Sequence, residues 1–393
     1  MPNKKTKKPA PAKGKVDNAF IVSQFYGFDG VELPEVEKED IERAKTLRKD
    51  SKFIHDIMPP VEEPLAILRN YKDEATRENA QPILLYCEGQ AKGSHNKKKP
   101  KPGEKNISLH VIGTPKSIAE AILIKTAMCI LQEEGYKDLS VEINNIGGKD
   151  SMNQFFKELT AYYRKNLSNL NAECRQMFKE GTHALIMCKN KIKDEVLNEA
   201  PTPLSFLTEE SRNHFKEVIE YLESQDIAFE INKDVLGDPH YSTNTVFTIL
   251  DKKTGKILAT GSRYDQLSKK SGLKKDIPSA GITIKINKPK QVPRSREMKS
   301  AKFFFIQIGL DAKRLGLKVL EELRNANIPV YQSLPNDRLS VQLKNAKKLK
   351  APYILIVGQK EANDKTVLVK DANTHSQESV PLKDLVKHLK KMK

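Results

Sequence analysis

The stretch that most constrains the fold runs from Thr245 to Asp265. Thr245–Leu250 is β-branched and apolar, Asp251–Gly255 has the aspartate and glycine of a turn, and Lys256–Thr260 resumes extended character. This pattern predicts a β-hairpin and its return strand. At the strand's end stand Arg263, Tyr264 and Asp265. A cation, a phenol and a carboxylate in three consecutive residues offer three different hydrogen-bonding roles, which suits recognition of a polar ligand; a solvated turn carrying ordinary charges is the plainer reading.

A chain of 393 residues can hold two or three domains. Its 38% apolar and 30% charged content describes a soluble globular protein with a charged surface. No apolar run approaches the roughly 18 residues of a membrane span, and no signal-peptide core follows the N-terminus, so a cytoplasmic protein without a membrane partner is expected. Lys and Arg total 68 against 51 acidic residues, a net charge of +17 that attracts polyanions through counterion release and makes RNA the first partner to consider. Cys87, Cys129, Cys174 and Cys188 are widely spaced and form no Cys-x-x-Cys pair, which indicates neither a metal site nor a disulfide framework.

Along the chain, residues 1–18 read as a basic tail. Residues 1–15 hold Lys4, Lys5, Lys7, Lys8, Lys13 and Lys15 with no acidic residue and too little apolar surface to offset ordering entropy. A helix over Ala19–Tyr26 ends at Gly27, and a second helix over Pro64–Tyr71 starts behind Glu62 and Glu63, read as acids that complement its dipole. Gln81–Gly89 is a buried-strand candidate. The loop after it carries Lys97, Lys98, Lys99 and Lys101 and no arginine, and reads either as an RNA contact or as a disordered surface loop. A strand at Ile107–Ile112, an amphipathic helix at Ser117–Glu134 and a strand at Leu139–Ile143 follow, then a helix at Ser151–Asn166 with Ser151 as its N-cap. Thr208 is a further N-cap candidate, with Ser211 three residues on. Residues 289–302 read as a linker. Beyond it the pattern reads strand 303–308, helix 311–325, strand 328–332, helix 338–349, strands 353–358 and 365–370, a short strand near 377–380 and helix 382–391; the alternating start predicts helices on a largely parallel sheet, with Lys344, Lys347 and Lys348 on one basic helix.

Tyr241, Thr245-Val-Phe247, Gly261, Arg263-Tyr-Asp265 and Leu267 together resemble the histidyl-tRNA synthetases, class II aminoacyl-tRNA synthetases of subclass IIa. The segment before Pro34, the run from Asn198 to Phe215 and the run from Arg338 to Glu361 resemble the same family. The resemblance implies an α+β chain: a class II synthetase-like antiparallel sheet flanked by helices over residues 19–288, with a small helical insertion at about 168–225, then an α/β anticodon-binding-like domain over 303–393. It further implies a histidine-pocket-like set of Tyr241, Arg263, Tyr264 and Asp265, a homodimer through the motif of Pro34, and ATP and Mg as cofactors if synthetase activity is retained.

The chain departs from the family pattern where phosphate charge must be handled. Gly237 and Lys288 stand where the family has arginines, Lys285 replaces a glycine, and the lysine-rich loop has no arginine. An ammonium group cannot reproduce a rigid bidentate guanidinium fork. The expectation is therefore a degenerate synthetase-like protein acting through tRNA or a protein partner. An active histidine–tRNA ligase is the first alternative, and a regulatory subunit of histidine biosynthesis the second.

Overall fold

The computed structural model describes residues 15–47, 61–75, 82–93, 103–182, 185, 194–238, 240–287, 290–293 and 301–392. Lys97, Lys98, Lys99, Lys101, Lys288 and residues 1–14 lie outside them.

The first part of the chain forms β1 (Lys15–Asp17), α1 (Asn18–Phe25), β2 (Asp29–Val31), α2 (Lys38–Leu47), α3 (Glu62–Ala75), β3 (Ile83–Glu88) and β4 (Glu104–Ile112). There follow α4 (Ile118–Glu134), β5 (Leu139–Asn145), α5 (Lys149–Lys165), α6 (Ala172–Glu180), α7 (Glu195–Glu199) and α8 (Glu209–Ser224). Then come β6 (Phe229–Ile231), β7 (Thr243–Asp251), β8 (Lys256–Arg263), the single turn α9 (Leu267–Lys270), β9 (Ser279–Asn287) and β10 (Gln291–Pro293). Eight of these strands make one sheet in the order β2-β3-β4-β9-β8-β7-β5-β6. Its pairs are antiparallel except β2 with β3 and β5 with β6, which are parallel.

The sheet is two-faced because side chains alternate along each strand and the register keeps like with like. Leu109 pairs with Ile282, Ile282 with Gly261, Gly261 with Phe247, and Phe247 with Ile143. The neighbouring row runs from Ile107 through Ile284, Ala259 and Ile249 to Val141. Both rows are buried against α4, in which every residue from Ile118 to Leu131 is buried. A helix apolar on all sides must be covered on all sides. The sheet lies on one side of α4, while α1 and α8 pack around it.

The C-terminal part comprises β11 (Phe303–Gln307), α10 (Leu310–Asn325), β12 (Val330–Gln332), α11 (Leu339–Lys348), β13 (Tyr353–Val357), α12 (Gln359–Asp364), β14 (Thr366–Asp371), β15 (Gln377–Pro381) and α13 (Leu382–Lys391). Its sheet has the order β12-β11-β13-β14-β15. The first three strands run parallel, whereas β14 and β15 are antiparallel, so the sheet is mixed rather than largely parallel. The reason is local: the six-residue α12 is too short for a crossover, so β14 returns beside β13, and β15 follows as a hairpin. This part is docked on the first. Lys125 of α4, 5% exposed, pairs with Glu321 of α10 at 2.7 Å. Arg324 pairs with Glu133 and Arg314 with Glu220, and Gln332 Nε2 donates to the Tyr26 carbonyl at 2.7 Å.

Two local expectations change, and a third holds. The helix over Ser151–Asn166 begins earlier, at Lys149 behind Gly148; Ser151 lies inside it, where its Oγ accepts from the Thr208 amide at 3.1 Å. The last residues of the basic tail are ordered, because β1 pairs antiparallel with β10, a strand within the linker, and Asp17 caps α1 by accepting from the Ala19 amide. Thr208 does cap α8, accepting from the Ser211 amide.

Ile284 sits fully buried in the middle of the sheet's apolar face. Ile284→Ala is expected to cost about 2–5 kcal/mol, read as a lower midpoint of urea unfolding with the slope unchanged.

Candidate functional site

The other face of the sheet is polar. Ser108 and His110 on β4, Gly281 and Thr283 on β9, and Thr260 and Ser262 on β8 stand opposite one another in register. With Tyr241, Tyr264 and the first turn of α3, Glu63 and Pro64, they line a cavity of about 30 Å³, room for roughly two waters. Gly281 is needed there because a Cβ at that position would lie 2.8 Å from His110 Nδ1.

Burial sets the charge of this cavity. His110 is pushed down to about 4 by burial, so its ring is neutral at neutral pH, and its Nδ1 lies 2.8 Å from the Tyr264 hydroxyl. Burial holds the Tyr264 phenol well above its ordinary range. The Glu63 carboxyl is lifted to about 7, first by burial and further by Glu62 beside it, against the opposing effect of the Ala91 amide, which donates to its Oε1 at 3.3 Å. Burial pushes the Cys87 thiol up to about 12, which leaves it unreactive.

The residues singled out in the sequence divide. Tyr241 and Tyr264 line the cavity; Arg263 and Asp265 do not. Strand alternation turns Arg263, flanked by Ser262 and Tyr264, toward α4. There it is 1% exposed and all five of its N–H groups are committed. Nε and Nη2 donate to the two oxygens of Glu120 at 2.9 and 2.7 Å, Nη1 to the Thr114 carbonyl and Asp265 Oδ1, both at 3.1 Å, and Nη2 also to the Lys116 carbonyl at 3.1 Å. Asp265 in turn accepts from the Ser279 amide at 2.9 Å. Burial alone would raise the Glu120 carboxyl, but Arg263 and then His214, whose Nε2 is 2.7 Å away, hold it far below the usual range. This is a structural lock, and none of its donors is left for a ligand.

Gly237, where the resemblance implies an arginine, has a φ of +63°, and a Cβ there would meet Val246 Cγ1 at 2.7 Å and Ser242 Oγ at 2.8 Å. Besides lacking an arginine, the backbone at this position has no room for one. Lys285, on β9 two residues beyond Thr283, shares the cavity's face and is half-buried. Pro34 follows β2 and is half-buried, whereas Lys344, Lys347 and Lys348 on α11 are exposed. Among the described residues no group of three or more His, Cys, Asp or Glu is placed to hold a metal ion, and no helix is long and apolar enough to cross a membrane.

Ser108, His110, Thr260, Ser262 and Thr283 were not singled out as a set; Ser108, His110 and Thr260 are polar positions of strands expected from the sequence, whereas Ser262 and Thr283 lie outside those expected ranges. Glu62 and Glu63 were read as first-turn acids that complement the helix dipole. They do lie in the first turn of α3, but are only 7% and 8% exposed.

Two family descriptions match the chain: the histidyl-tRNA synthetase model over residues 142–288 and the anticodon binding domain over 302–392. The histidine–tRNA ligase of Aquifex aeolicus is 30% identical, the match covering 71% of this chain and 69% of that protein. That of Symbiobacterium thermophilum is 26% identical over 94% of this chain and 91% of the other. The apo histidyl-tRNA synthetase of S. aureus superposes with a TM-score of 0.48 at 18% identity, covering 93% of this chain and 92% of that one.

Two outcomes follow from these geometries. Arg263→Met leaves Glu120 buried with its main counter-charge gone, and is expected to destabilise the protein by about 3–5 kcal/mol in urea unfolding, with less lost when Glu120→Leu is added. Glu63 has a folded-state value of about 7 against an ordinary 4.5. Its contribution is thus fully present below 4.5 and lost as pH rises through 7. From pH 5 to pH 8 the wild type should lose about 1–3 kcal/mol relative to Glu63→Gln, measured by denaturation at each pH.

Proposed function

The chain belongs to the histidyl-tRNA synthetase family, and from that premise we propose that it binds tRNA without forming histidyl-adenylate. Adenylate formation spreads negative charge over the α-phosphate and needs preorganised cations directed at it. The observation that carries the proposal is Gly237, where an arginine is both missing and sterically refused. The residues described do not fit an ATP–Mg complex. The cavity's lining includes no lysine or arginine, its only carboxylate is the largely desolvated Glu63, and Arg263 is fully engaged elsewhere.

Loss of one such donor costs about 10²–10³ in rate, and losses within one site do not simply add. The RNA-binding half of the reading is supported by the match to an anticodon binding domain and by the exposed lysines of α11. Pairing of two copies through the segment bearing Pro34 belongs to the same reading, and light scattering that finds only monomer removes it.

Histidine-dependent ATP–pyrophosphate exchange is expected at background. Bulk tRNA should bind with a strong salt dependence, and Lys344→Gln, Lys347→Gln and Lys348→Gln together should lower the slope of log K against log salt by about 2. Exchange at an ordinary synthetase rate overturns the first half; a salt slope unmoved by the triple substitution overturns the assignment of α11.

A further inference from the structure

The C-terminal sheet is covered unequally on its two faces. On one, Leu355, Val357, Val367, Val369 and Val380 are buried, 0–4% exposed, beneath two helices, α10 and α13. The other carries α11, which packs on β11 and buries Phe304, Ile306 and Ile354 with its own Ala346. Farther across that face, Ile356 on β13 and Leu368 on β14 stand opposite each other in register, and both are only half-buried. Ser379 continues the row on β15 and is exposed.

The helix turns apolar side chains toward this row. Leu339 and Leu343, 46% and 37% exposed, lie one turn apart on one ridge, beside the buried Gln342 and Ala346. β12, α11 and β13 make a crossover between parallel strands, and in the right-handed connection such units adopt, the step from Gln342 to Leu343 turns toward β13. The result is a trough with Leu339 and Leu343 as its wall and Ile356 and Leu368 as its floor. Its rim is basic: Lys347 and Lys350 are exposed on and just beyond α11, and Lys370 stands on β14 opposite Ile354. Neither α11 nor this face of the five strands carries an acidic side chain.

We propose that the trough docks an amphipathic α-helix of an acidic protein partner, laid alongside α11 so that this face, like the opposite one, is covered by two helices. The span from β13 to β15 is two strand spacings, about 10 Å, which matches the diameter of one helix. The apolar side of such a helix meets Ile356, Leu368 and the leucine ridge, and its flanking carboxylates meet the lysines. A nucleic acid would satisfy the lysines and leave the leucines bare, because bases are held by stacking or hydrogen-bonding side chains. A membrane surface would require the leucines at the crest of the helix; the crest, opposite Gln342 and Ala346, is Lys344 and Lys348. Those two lysines stay open to RNA, so the partner adds to the RNA reading and does not replace it.

The test uses the full-length protein and three synthetic peptides of about 15 residues: an amphipathic helix of leucine and glutamate, the same peptide with lysine for each glutamate, and polyglutamate. Bulk tRNA and phosphatidylserine vesicles represent the competing classes of ligand. Binding is followed in the methyl NMR signals of Leu343, Ile356 and Leu368. The leucine–glutamate peptide should saturate at micromolar concentration and shift all three, and the other two peptides should bind at least tenfold more weakly. Leu339→Ser combined with Leu343→Ser should weaken the first peptide at least tenfold and leave tRNA affinity within about twofold. Should that variant fail to fold, the wild type alone decides, since Ile356 and Leu368 should shift with the peptide and not with tRNA. Polyglutamate binding as tightly as the amphipathic peptide, an unchanged peptide affinity in the leucine variant, or tRNA or vesicles moving Ile356 and Leu368 as the peptide does overturns the assignment. A chain that binds the peptide but no tRNA overturns the RNA reading and leaves this one standing.

Discussion

The bidentate pair between Arg263 and Glu120 is what the site is hung from. It joins the end of β8 to the first turn of α4, and α4 is the helix on which the sheet's apolar face rests. With Asp265, Thr114 and Lys116 completing the guanidinium's bonds, the chain leaving β8 has one direction, and Tyr264 is set into the cavity as a result. A buried ion pair of this kind contributes little net energy compared with apolar packing, but breaking half of it is costly. Its value here is positional.

The same pair explains why an arginine in a family-like motif need not be a ligand group. Around a triphosphate, guanidinium groups must be free and aimed; in this chain Arg263 is consumed by the scaffold, and the cavity beside it is neutral to negative. The polyanion binding proposed above, which a charge of +17 favours, draws among the described residues on the exposed lysines of α11.

Much of the scaffold could be read in advance, because hairpin turn chemistry at Asp251–Gly255 and the β-branched, apolar character of Thr245–Leu250 are local signals that tertiary contacts reinforce. The C-terminal strands and helices were legible for the same reason, down to the short β15. What could not be read was which way a polar triplet turns. Arg263, Tyr264 and Asp265 look like one recognition unit in sequence, yet the pleat places neighbours on opposite faces, and only the position of α4 decides which face is the interior. Glu63 was illegible for a different reason: a glutamate in a helix's first turn is ordinary until α3 is laid over the sheet and water is excluded.

The docking of the C-terminal half has a consequence for how the molecule comes apart. Side chains of α10, α13 and β11 belong to the same continuous apolar cluster as α4 and the large sheet, and Lys125 with Glu321 bridges the two halves. Cooperative units follow buried contact rather than family boundaries, so heat or urea should melt the two halves in a single transition. Removing the anticodon-binding-like half would therefore also strand Lys125 of α4, leaving its buried ammonium without the Glu321 carboxylate.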